Sequence, residues 1–250
     1  MKLHASAALA SLALTACATA PAAPGEMADP YEGFNRQMFA FNNGVDKYAI
    51  SPAATVYKTV TPEFARDRAG DFLRNLRAPV ILANDVLQAE PSRAGNTVAR
   101  FTINSTVGLL GLWDAADHFG IEHHSEDFGQ TLAVWGVESG PFLVMPILGP
   151  TTPRDLLGTG VDRALDPLTW VEIGNDEDTD LAVRAGMGII GALNARVRFD
   201  DQIDTLNSQP EPYVALRRLY SSQRQAAIAN GRVNEAEAYE DLPDFDEFED

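Results

Sequence analysis

Apolar residues recur every three or four positions along most of the chain, which predicts amphipathic helices. The clearest stretch is residues 29–48, whose apolar face is rich in aromatic rings. That face consists of Tyr31, Phe34, Met38, Phe41, Val45 and Tyr48. Asp29, Pro30 and Glu32 fit the N-cap, N1 and N3 positions of a capping box. The pair Ser51-Pro52 is expected to end this helix, because proline disfavours helical geometry at the residue before it.

The same periodicity, with a hydroxyl or a proline near each start, predicts six further helices. They are expected to start at Thr61, Ala78, Ser92, Thr152, Thr179 and Pro212, with Ser92, Thr152 and Thr179 as capping residues. Strand-like alternation is scarce, and residues 131–137 are the best short candidate. We therefore predict a mostly α-helical single domain.

No segment is predicted to cross a membrane. The longest stretches without charge are residues 101–113 and 139–153. The first contains an asparagine and glycines, and the second is broken by prolines. Both are shorter than the roughly 20 apolar residues that a membrane-spanning helix requires.

The N-terminus has the pattern of a bacterial lipoprotein signal. Lys2 precedes an uncharged apolar stretch at residues 5–14, and small residues lead to Cys17, the only cysteine of the chain. The tetrapeptide LTAC at residues 14–17 resembles a lipobox, in which the cysteine is acylated and becomes the mature N-terminus. The alternative is an ordinary secretory signal with an incidental cysteine. Because Ala18 and not aspartate follows, the sorting rule implies the outer membrane.

Charge and composition divide the chain into four segments. We predict a signal peptide at residues 1–16, an anchored tether at 17–28, a helical domain at 29–230 and a disordered acidic tail at 231–250. The formal net charge of -17 argues against nucleic-acid binding, which rewards clustered lysine and arginine. It also argues against adhesion to anionic lipid by charge alone.

The sequence holds only weak candidates for catalytic chemistry. No nucleophile elbow, phosphate-binding loop or dinucleotide fingerprint occurs in the sequence. A group of histidines and acids lacks the spacing of a metal site and is interpreted as a polar surface loop. It comprises His118, Glu122, His123, His124, Glu126 and Asp127. Asp155 and Asp162 are expected to flank a solvated helix face or to pair with Arg154 and Arg163. We expect no catalytic residue, metal or cofactor.

The segment at residues 136–150 stands out because an apolar run is framed by glycines and prolines. It either forms a buried loop in the core or an apolar hairpin that faces lipid, with glycines as hinges. On the second interpretation it is a candidate gate. The candidate gate residues are Gly136, Gly140, Phe142, Leu143, Met145, Ile147 and Leu148.

Five collinear blocks resemble the MlaA (VacJ) family of lipoproteins. They are DPYEGFNR with FAFN at 29–42, NDVLQ at 84–88, RFTINSTVG with GLWD at 100–114, EDFGQTL with WGV at 126–137, and LGP with RD at 148–155. The family-motif residues expected to matter are Asn35, Arg36, Phe41, Asn42, Asp85, Arg100, Asn104, Asp127, Gln130, Arg154 and Asp155. The histidine-rich loop at residues 119–125, the Gly70-Asp71-Phe72 turn and the acidic tail depart from the family pattern.

The resemblance implies a helical ring around an amphipathic channel, set in the inner leaflet of the outer membrane. Such proteins remove mislocalised phospholipids from the outer leaflet and pass them to a periplasmic lipid-carrier protein, in association with a trimeric outer-membrane porin. The alternative is a structural lipoprotein that braces a porin or envelope complex without moving lipid. A phospholipase that uses Asp127 and His124 is a third and weaker hypothesis.

Overall fold

The computed structural model describes residues 27–172 and 176–230. Helices dominate: α1 is Glu32–Val45, α2 Ser51–Val60, α3 Glu63–Leu76, α4 Ala78–Leu87, α5 Pro91–Thr106, α6 Ala115–His118, α7 Phe128–Val134, α8 Pro153–Leu165, α9 Glu177–Arg198, α10 Asp200–Asn207 and α11 Pro212–Ile228. A π-helical turn, Asp46–Ile50, joins α1 to α2, and a 3-10 turn, Pro167–Thr169, follows α8. Strands β1, Leu143–Met145, and β2, Gly149–Thr151, form an antiparallel hairpin.

The elements close into a ring. Going round it, α2 packs on α9, α9 on α3, α3 on α4, α4 on α8 and α8 on α7. The circuit continues from α7 to α11, from α11 to β2, and through β1 back to α1. The predicted ring-like, mostly helical domain with an apolar hairpin is therefore confirmed. In the described ranges, no helix is both long and apolar enough to span a bilayer.

The predicted end of the first helix at Ser51-Pro52 is wrong, because the chain stays helical to Val60. The intervening turn is π-helical, and the backbone N–H of Ser51 donates to the carbonyl of Asp46, five residues back. This wider turn accommodates the proline ring and its missing N–H, which would break a regular α-helix.

The predicted strand at residues 131–137 is also wrong, because residues 128–134 form α7. Asp127 caps that helix by accepting from the backbone N–H of Gln130 at 2.9 Å. Thr131 is buried and donates its hydroxyl to Asn84 Oδ1 at 2.7 Å. Capping and tertiary contacts therefore override the strand preference of a short, β-branched segment.

Of the predicted caps, Thr152 is confirmed, since its hydroxyl accepts from the N–H of Asp155. The long helix α9 is capped by Asp176, and Thr179 supplies the N–H that Asp176 accepts. Ser92 lies inside α5, which begins at Pro91. Asp29 does not cap α1, because its carboxylate is buried in side-chain hydrogen bonds.

Candidate functional site

Three adjoining cavities lie among the elements of the ring, and together we call them the central cavity. The largest, about 570 Å³, lies between α3, α8 and α9. The second, about 430 Å³, lies between α4, α8, β2 and α11, and shares Arg77, Arg163 and Asp166 with the first. The third, about 290 Å³, shares Leu73, Arg77 and Gly191 with the first. The shared residues show that the three cavities adjoin one another.

The wall of the central cavity has two chemical characters. Its apolar lining comprises Leu73, Leu76, Leu168 and Met187. Its charged lining in the same cavity comprises Arg77, Arg163, Asp166, Asp180 and Arg184. Such a wall suits a molecule with a charged end and a hydrocarbon end. The amphipathic channel expected from the family resemblance has this composition.

The hairpin is attached to α1 by two asparagines, Asn35 and Asn42, which we call the asparagine latch. Asn35 donates to the carbonyl of Phe142 at 3.0 Å and accepts from the N–H of Val144 at 2.8 Å. Asn42 donates to the carbonyl of Met145 at 3.0 Å and accepts from the N–H of Ile147 at 2.7 Å. The two side chains thus satisfy an open strand edge, as a neighbouring strand would.

Helix and strand geometry explain why this latch fits. Seven residues of helix rise about 10.5 Å, close to the roughly 10 Å covered by three residues of strand. Asn35 and Asn42 are therefore seven residues apart on one helix face, while their partners in the hairpin are three residues apart. This function of the two asparagines is visible only in the tertiary structure.

The hairpin is buried along its strands, as the interpretation of a core loop expects, and exposed at its tip; that the tip faces lipid stays a prediction. Phe142 and Val144 are fully buried and form a core cluster with Tyr213 of α11. The tip, in contrast, projects outward, with Ile147 75% and Leu148 67% exposed. Leu143 and Met145 are half-buried. Ile147 has φ +67°, an unfavourable conformation for a β-branched residue, and its N–H is held by Asn42.

The proposed hinge glycines both adopt positive φ, +86° at Gly136 and +73° at Gly140. A Cβ at Gly136 would meet no other atom within 4 Å, whereas one at Gly140 would lie 3.2 Å from Pro153. Gly136 is therefore the cleaner position at which to test a hinge, because substitution there strains only the backbone.

A buried polar network connects α4, α7 and α8 beside the central cavity. Asn84 donates to Asp162 at 2.9 Å, and the N–H of Phe128 donates to the same carboxylate at 3.1 Å. Gln88 donates to the fully buried Glu126 at 2.8 Å. Burial raises the pKa of both Asp162 and Glu126 against the opposing effect of these hydrogen bonds. The expectation that Asp162 is solvated or pairs with Arg163 is wrong.

Asp85 and the histidine loop meet in this network. Asp85 is fully buried, accepts from Thr97 at 2.6 Å and lies 3.0 Å from His124 Nε2. The interpretation of residues 118–127 as a wholly surface loop is therefore wrong for Glu126, which is buried, and for His124, which is half-buried. No group of metal-ligating side chains occurs in residues 27–172 and 176–230.

Arg100 fastens the turn after α5. Its guanidinium donates to both oxygens of Asp114, at 2.7 and 2.5 Å, and to the carbonyl of Ile121. Asn104 donates to the same carboxylate and accepts from the N–H of Ala116. Burial alone would raise the pKa of Asp114, but the bonds from Asn104 and Arg100 hold it below its usual range.

Arg224 of α11 joins the last helix to the ring. It donates to both oxygens of Asp127, at 2.6 and 2.7 Å, and to Asp155 at 2.7 Å. Tyr220 donates to the other oxygen of Asp155 at 2.5 Å. Although burial opposes it, these bonds lower the pKa of both carboxyls. The expected ion pair between Asp155 and Arg154 is present at 3.2 Å. The expected solvated helix face is absent at this position, since Asp155 and Arg154 are both buried.

The remaining family-motif residues have separate positions. Arg36 is exposed and bridges Glu32 and Glu211. Phe41 is exposed on α1, and Gln130 is buried and bonds to Asp127 at 3.1 Å. Because Asp127 binds Arg224 and His124 binds Asp85, these contacts do not unite Asp127 and His124 as a catalytic pair.

Sequence reasoning missed several residues that the structure places at the site. They are Arg77, Asn84, Tyr213, Tyr220 and Arg224, while Arg163 was expected only as an ion-pair partner of an aspartate. The only available signal for Asn84 was its place in the NDVLQ block. The others carry no local pattern, because their partners are far away in the sequence. Cys17 and the acidic tail lie outside the described residues, so their predicted functions stay predictions.

The ring exposes many large apolar side chains. On α1 and its π turn, Phe34, Phe41 and Tyr48 recur every seven residues and are each about half exposed or more. Further examples are Val56, Val60, Val107, Leu109, Leu110, Trp113, Trp135 and Ile189. So much exposed apolar surface is unusual for a protein surrounded by water and indicates an apolar environment or partner.

Comparison with known proteins places this geometry in a family. The sequence model of the MlaA lipoprotein family matches residues 27–227. The intermembrane phospholipid transport system lipoprotein MlaA of Haemophilus influenzae is 32% identical over 242 residues, 94% of this chain and 93% of that protein. A protein of Rickettsia felis is 36% identical over 207 residues, 81% of this chain and 79% of that protein. A solved structure described as the structural basis for maintenance of bacterial outer membrane lipid asymmetry matches with a TM-score of 0.70 and 29% identity, covering 80% of this chain and 99% of that chain.

Proposed function

Because the chain belongs to the MlaA lipoprotein family, we propose that it transports phospholipid from the outer membrane and so maintains the lipid asymmetry of that membrane. In this proposal phospholipid mislocalised to the outer leaflet enters the ring and leaves on the periplasmic side. No bond is made or broken. The observation that carries the proposal is an amphipathic central cavity among the elements of a ring that exposes many large apolar side chains.

The energetics explain why a protein route is needed. Moving a phospholipid with about 30 methylenes through water costs on the order of 20 kcal/mol, at about 0.8 kcal/mol for each methylene. The leucines and Met187 of the cavity wall can contact hydrocarbon, while the arginines of the same wall can replace water around the headgroup. A lipid inside the ring therefore avoids most of that cost.

Blocking the cavity tests the proposal. Gly188 of α9 lines the cavity, and a Cβ there meets nothing within 4 Å, so Gly188→Phe would fill the passage without a clash in the helix. Gly186 lies two residues earlier in the same helix and has equally open space, which makes Gly186→Phe the matched control. The measurement is outer-leaflet phospholipid on intact cells that lack this gene and carry each variant.

We expect surface phospholipid to rise when the gene is deleted, to return to normal with wild type and Gly186→Phe, and to stay high with Gly188→Phe. If Gly188→Phe is expressed normally and restores asymmetry, the route through the cavity is wrong. If deletion leaves surface phospholipid unchanged, bracing of an envelope complex becomes the better account.

We further propose that Cys17 carries the acyl anchor and that the tether brings it close to the hairpin. Residues 27 and 28 are the end of the tether, and the carbonyl of Ala28 accepts from the N–H of Phe142. Met27 packs against the core cluster below the hairpin. An anchor in the inner leaflet would thus hold the hairpin tip near the membrane. Cys17→Ala should abolish complementation, and full activity of that variant would exclude the anchor.

The gating function of the hairpin is a second part of the proposal. Gly136→Val should stiffen the hinge and impair lipid removal. Gly120 supplies the control, because it has φ +72°, a Cβ there also meets nothing within 4 Å, and it lies outside the hairpin. Gly120→Val imposes similar backbone strain without touching the hinge. Equal transport by Gly136→Val and Gly120→Val would contradict gating.

We propose a trimeric porin and a periplasmic lipid carrier as the protein partners. The exposed apolar side chains support the porin, since some of them can be covered by a barrel wall while the rest meet lipid. A photo-crosslinking residue at Tyr48 or Val60 should capture the porin, whereas one at Glu211 should not. Absence of porin adducts at all exposed apolar positions would contradict this assembly.

A further inference from the structure

Most arginines in the part of the chain that the structure describes are paired with a carboxylate. The chain carries 36 acidic and 19 basic residues, so carboxylates are in excess. In the described ranges most guanidinium groups accordingly bond to a carboxylate. They include Arg36, Arg68, Arg74, Arg93, Arg100, Arg154, Arg184, Arg196, Arg217 and Arg224.

Arg77 and Arg163 depart from this pattern. Neither side chain makes a hydrogen bond or salt bridge with any residue that the structure describes, and both are exposed. Both line the largest and the second cavity, at the place where the two adjoin. Arg198, whose side chain also has no such bond within the described ranges, lines the third cavity. Two free guanidinium groups therefore face the same passage.

The carboxylates near this place already have donors. Asp162 accepts from Asn84 and Phe128, and Asp166 accepts from the N–H of Leu168 at 2.9 Å. Asp180 is bonded to Arg184 at 2.6 Å. Asp127 and Asp155 are bonded to Arg224. Each of these acids thus accepts at least one hydrogen bond from within the fold, whereas the side chains of Arg77 and Arg163 donate to no residue in the described ranges and are available to a ligand.

A guanidinium offers a planar set of N–H donors that matches two oxygens of a phosphate. The apolar residues Leu73, Leu76 and Met187 lie in the wall of the same cavity as the two arginines. We propose that Arg77 and Arg163 form a binding site for the phosphate of a glycerophospholipid in transit, with its acyl chains on the leucine and methionine wall. This inference rests on the proposed function and names the site that function uses.

Binding of short-chain lipids to the full acylated protein in amphipol tests the site. The probes are dihexanoyl phosphatidylglycerol, dihexanoylglycerol, which lacks the phosphate, and inorganic phosphate. The test variant is Arg77→Gln with Arg163→Gln. The control is Lys47→Gln with Lys58→Gln, which removes the same charge from exposed side chains that do not line the three cavities. Arg77→Lys with Arg163→Lys keeps the charge but loses the two-pronged geometry.

We expect the double glutamine variant to bind the phospholipid about tenfold or more weakly, since it loses charge-assisted hydrogen bonds at two guanidiniums. Its affinity for dihexanoylglycerol should equal that of wild type. The control should bind all probes as wild type does, and the lysine variant should lie between the two.

Equal phospholipid affinity in wild type and the double glutamine variant would overturn the site. So would inorganic phosphate binding as tightly as the phospholipid, because the site would then be one for free anions. These results differ from a failure of the proposed function, which is read from Gly188→Phe in cells. If Gly188→Phe blocks lipid removal while the glutamine variant binds and transports normally, the function stands and this inference is wrong.

Discussion

Replacing Asn35 by alanine should release one half of the asparagine latch. Asn35 is fully buried and bonds to the carbonyl of Phe142, the N–H of Val144 and the carboxylate of Asp29. The alanine would leave two backbone groups of a buried strand edge without partners. Each such group costs about 1–3 kcal/mol, so we expect a loss of about 2–6 kcal/mol in the free energy of unfolding.

The loss translates into measurable shifts. For a domain of this size, about 1 kcal/mol lowers the melting temperature by about 2–4 °C, so Asn35→Ala should melt roughly 10 °C lower. Asn42→Ala should cost less, about 1–2 kcal/mol, because its partner Ile147 is exposed and water can replace the amide. Asn43→Ala is the control, since Asn43 lies on the same helix and its side chain has no bond in the described residues.

Hydrogen exchange locates the effect. In Asn35→Ala the amide of Val144 should exchange at least about tenfold faster, because its acceptor is lost. In Asn42→Ala the amide of Ile147 should respond in the same way. If neither amide changes in its variant, the latch does not hold the hairpin, and the reasoning about strand-edge satisfaction is refuted.

Three further predictions concern the ring. Gly158→Ala should lower the free energy of unfolding by about 1–3 kcal/mol, because its Cβ would lie 2.7 Å from Gly129 Cα where α7 and α8 pack closely. Gly160→Ala is the control, since a Cβ there has open space, and it should be neutral or stabilising. Thermal unfolding measures both. Arg224→Gln should lower the free energy of unfolding by about 3 kcal/mol at pH 7. Arg224 binds the carboxylates of Asp127 and Asp155, whose pKa values are lowered and which stabilise the fold only while they are ionised. The variant should therefore lose less stability than wild type when the pH falls below about 4. Loss of hydration and two nearby arginines lower the pKa of His123 to about 4, so the folded state binds this proton more weakly than the unfolded chain. Wild type should therefore lose stability between about pH 6.5 and 4, and His123→Asn should flatten that slope in melting curves; an unchanged slope would contradict the assignment.

The sequence by itself determined much of the helical architecture. Apolar positions spaced three or four apart identified the helix faces, because a helix must turn one side to its neighbours. The Thr152 cap and the family blocks were also readable, since they depend on local spacing or on resemblance. Sequence reasoning failed at Ser51-Pro52 and at residues 131–137, where a π turn and a buried contact to Asn84 decide the local structure.

Only the tertiary structure decided which polar side chains meet. Asn35 bonds to residues more than 100 positions away, and Arg224 reaches Asp127 across 97 positions. Arg77 and Arg163 could not be distinguished from other surface arginines until the ring placed them at the same two cavities, where neither makes a salt bridge with any residue that the structure describes. Local periodicity indicates which face of a helix or strand is buried. Which charged side chains form pairs depends on how the ring closes, and ring closure depends on contacts between segments that are distant in the sequence.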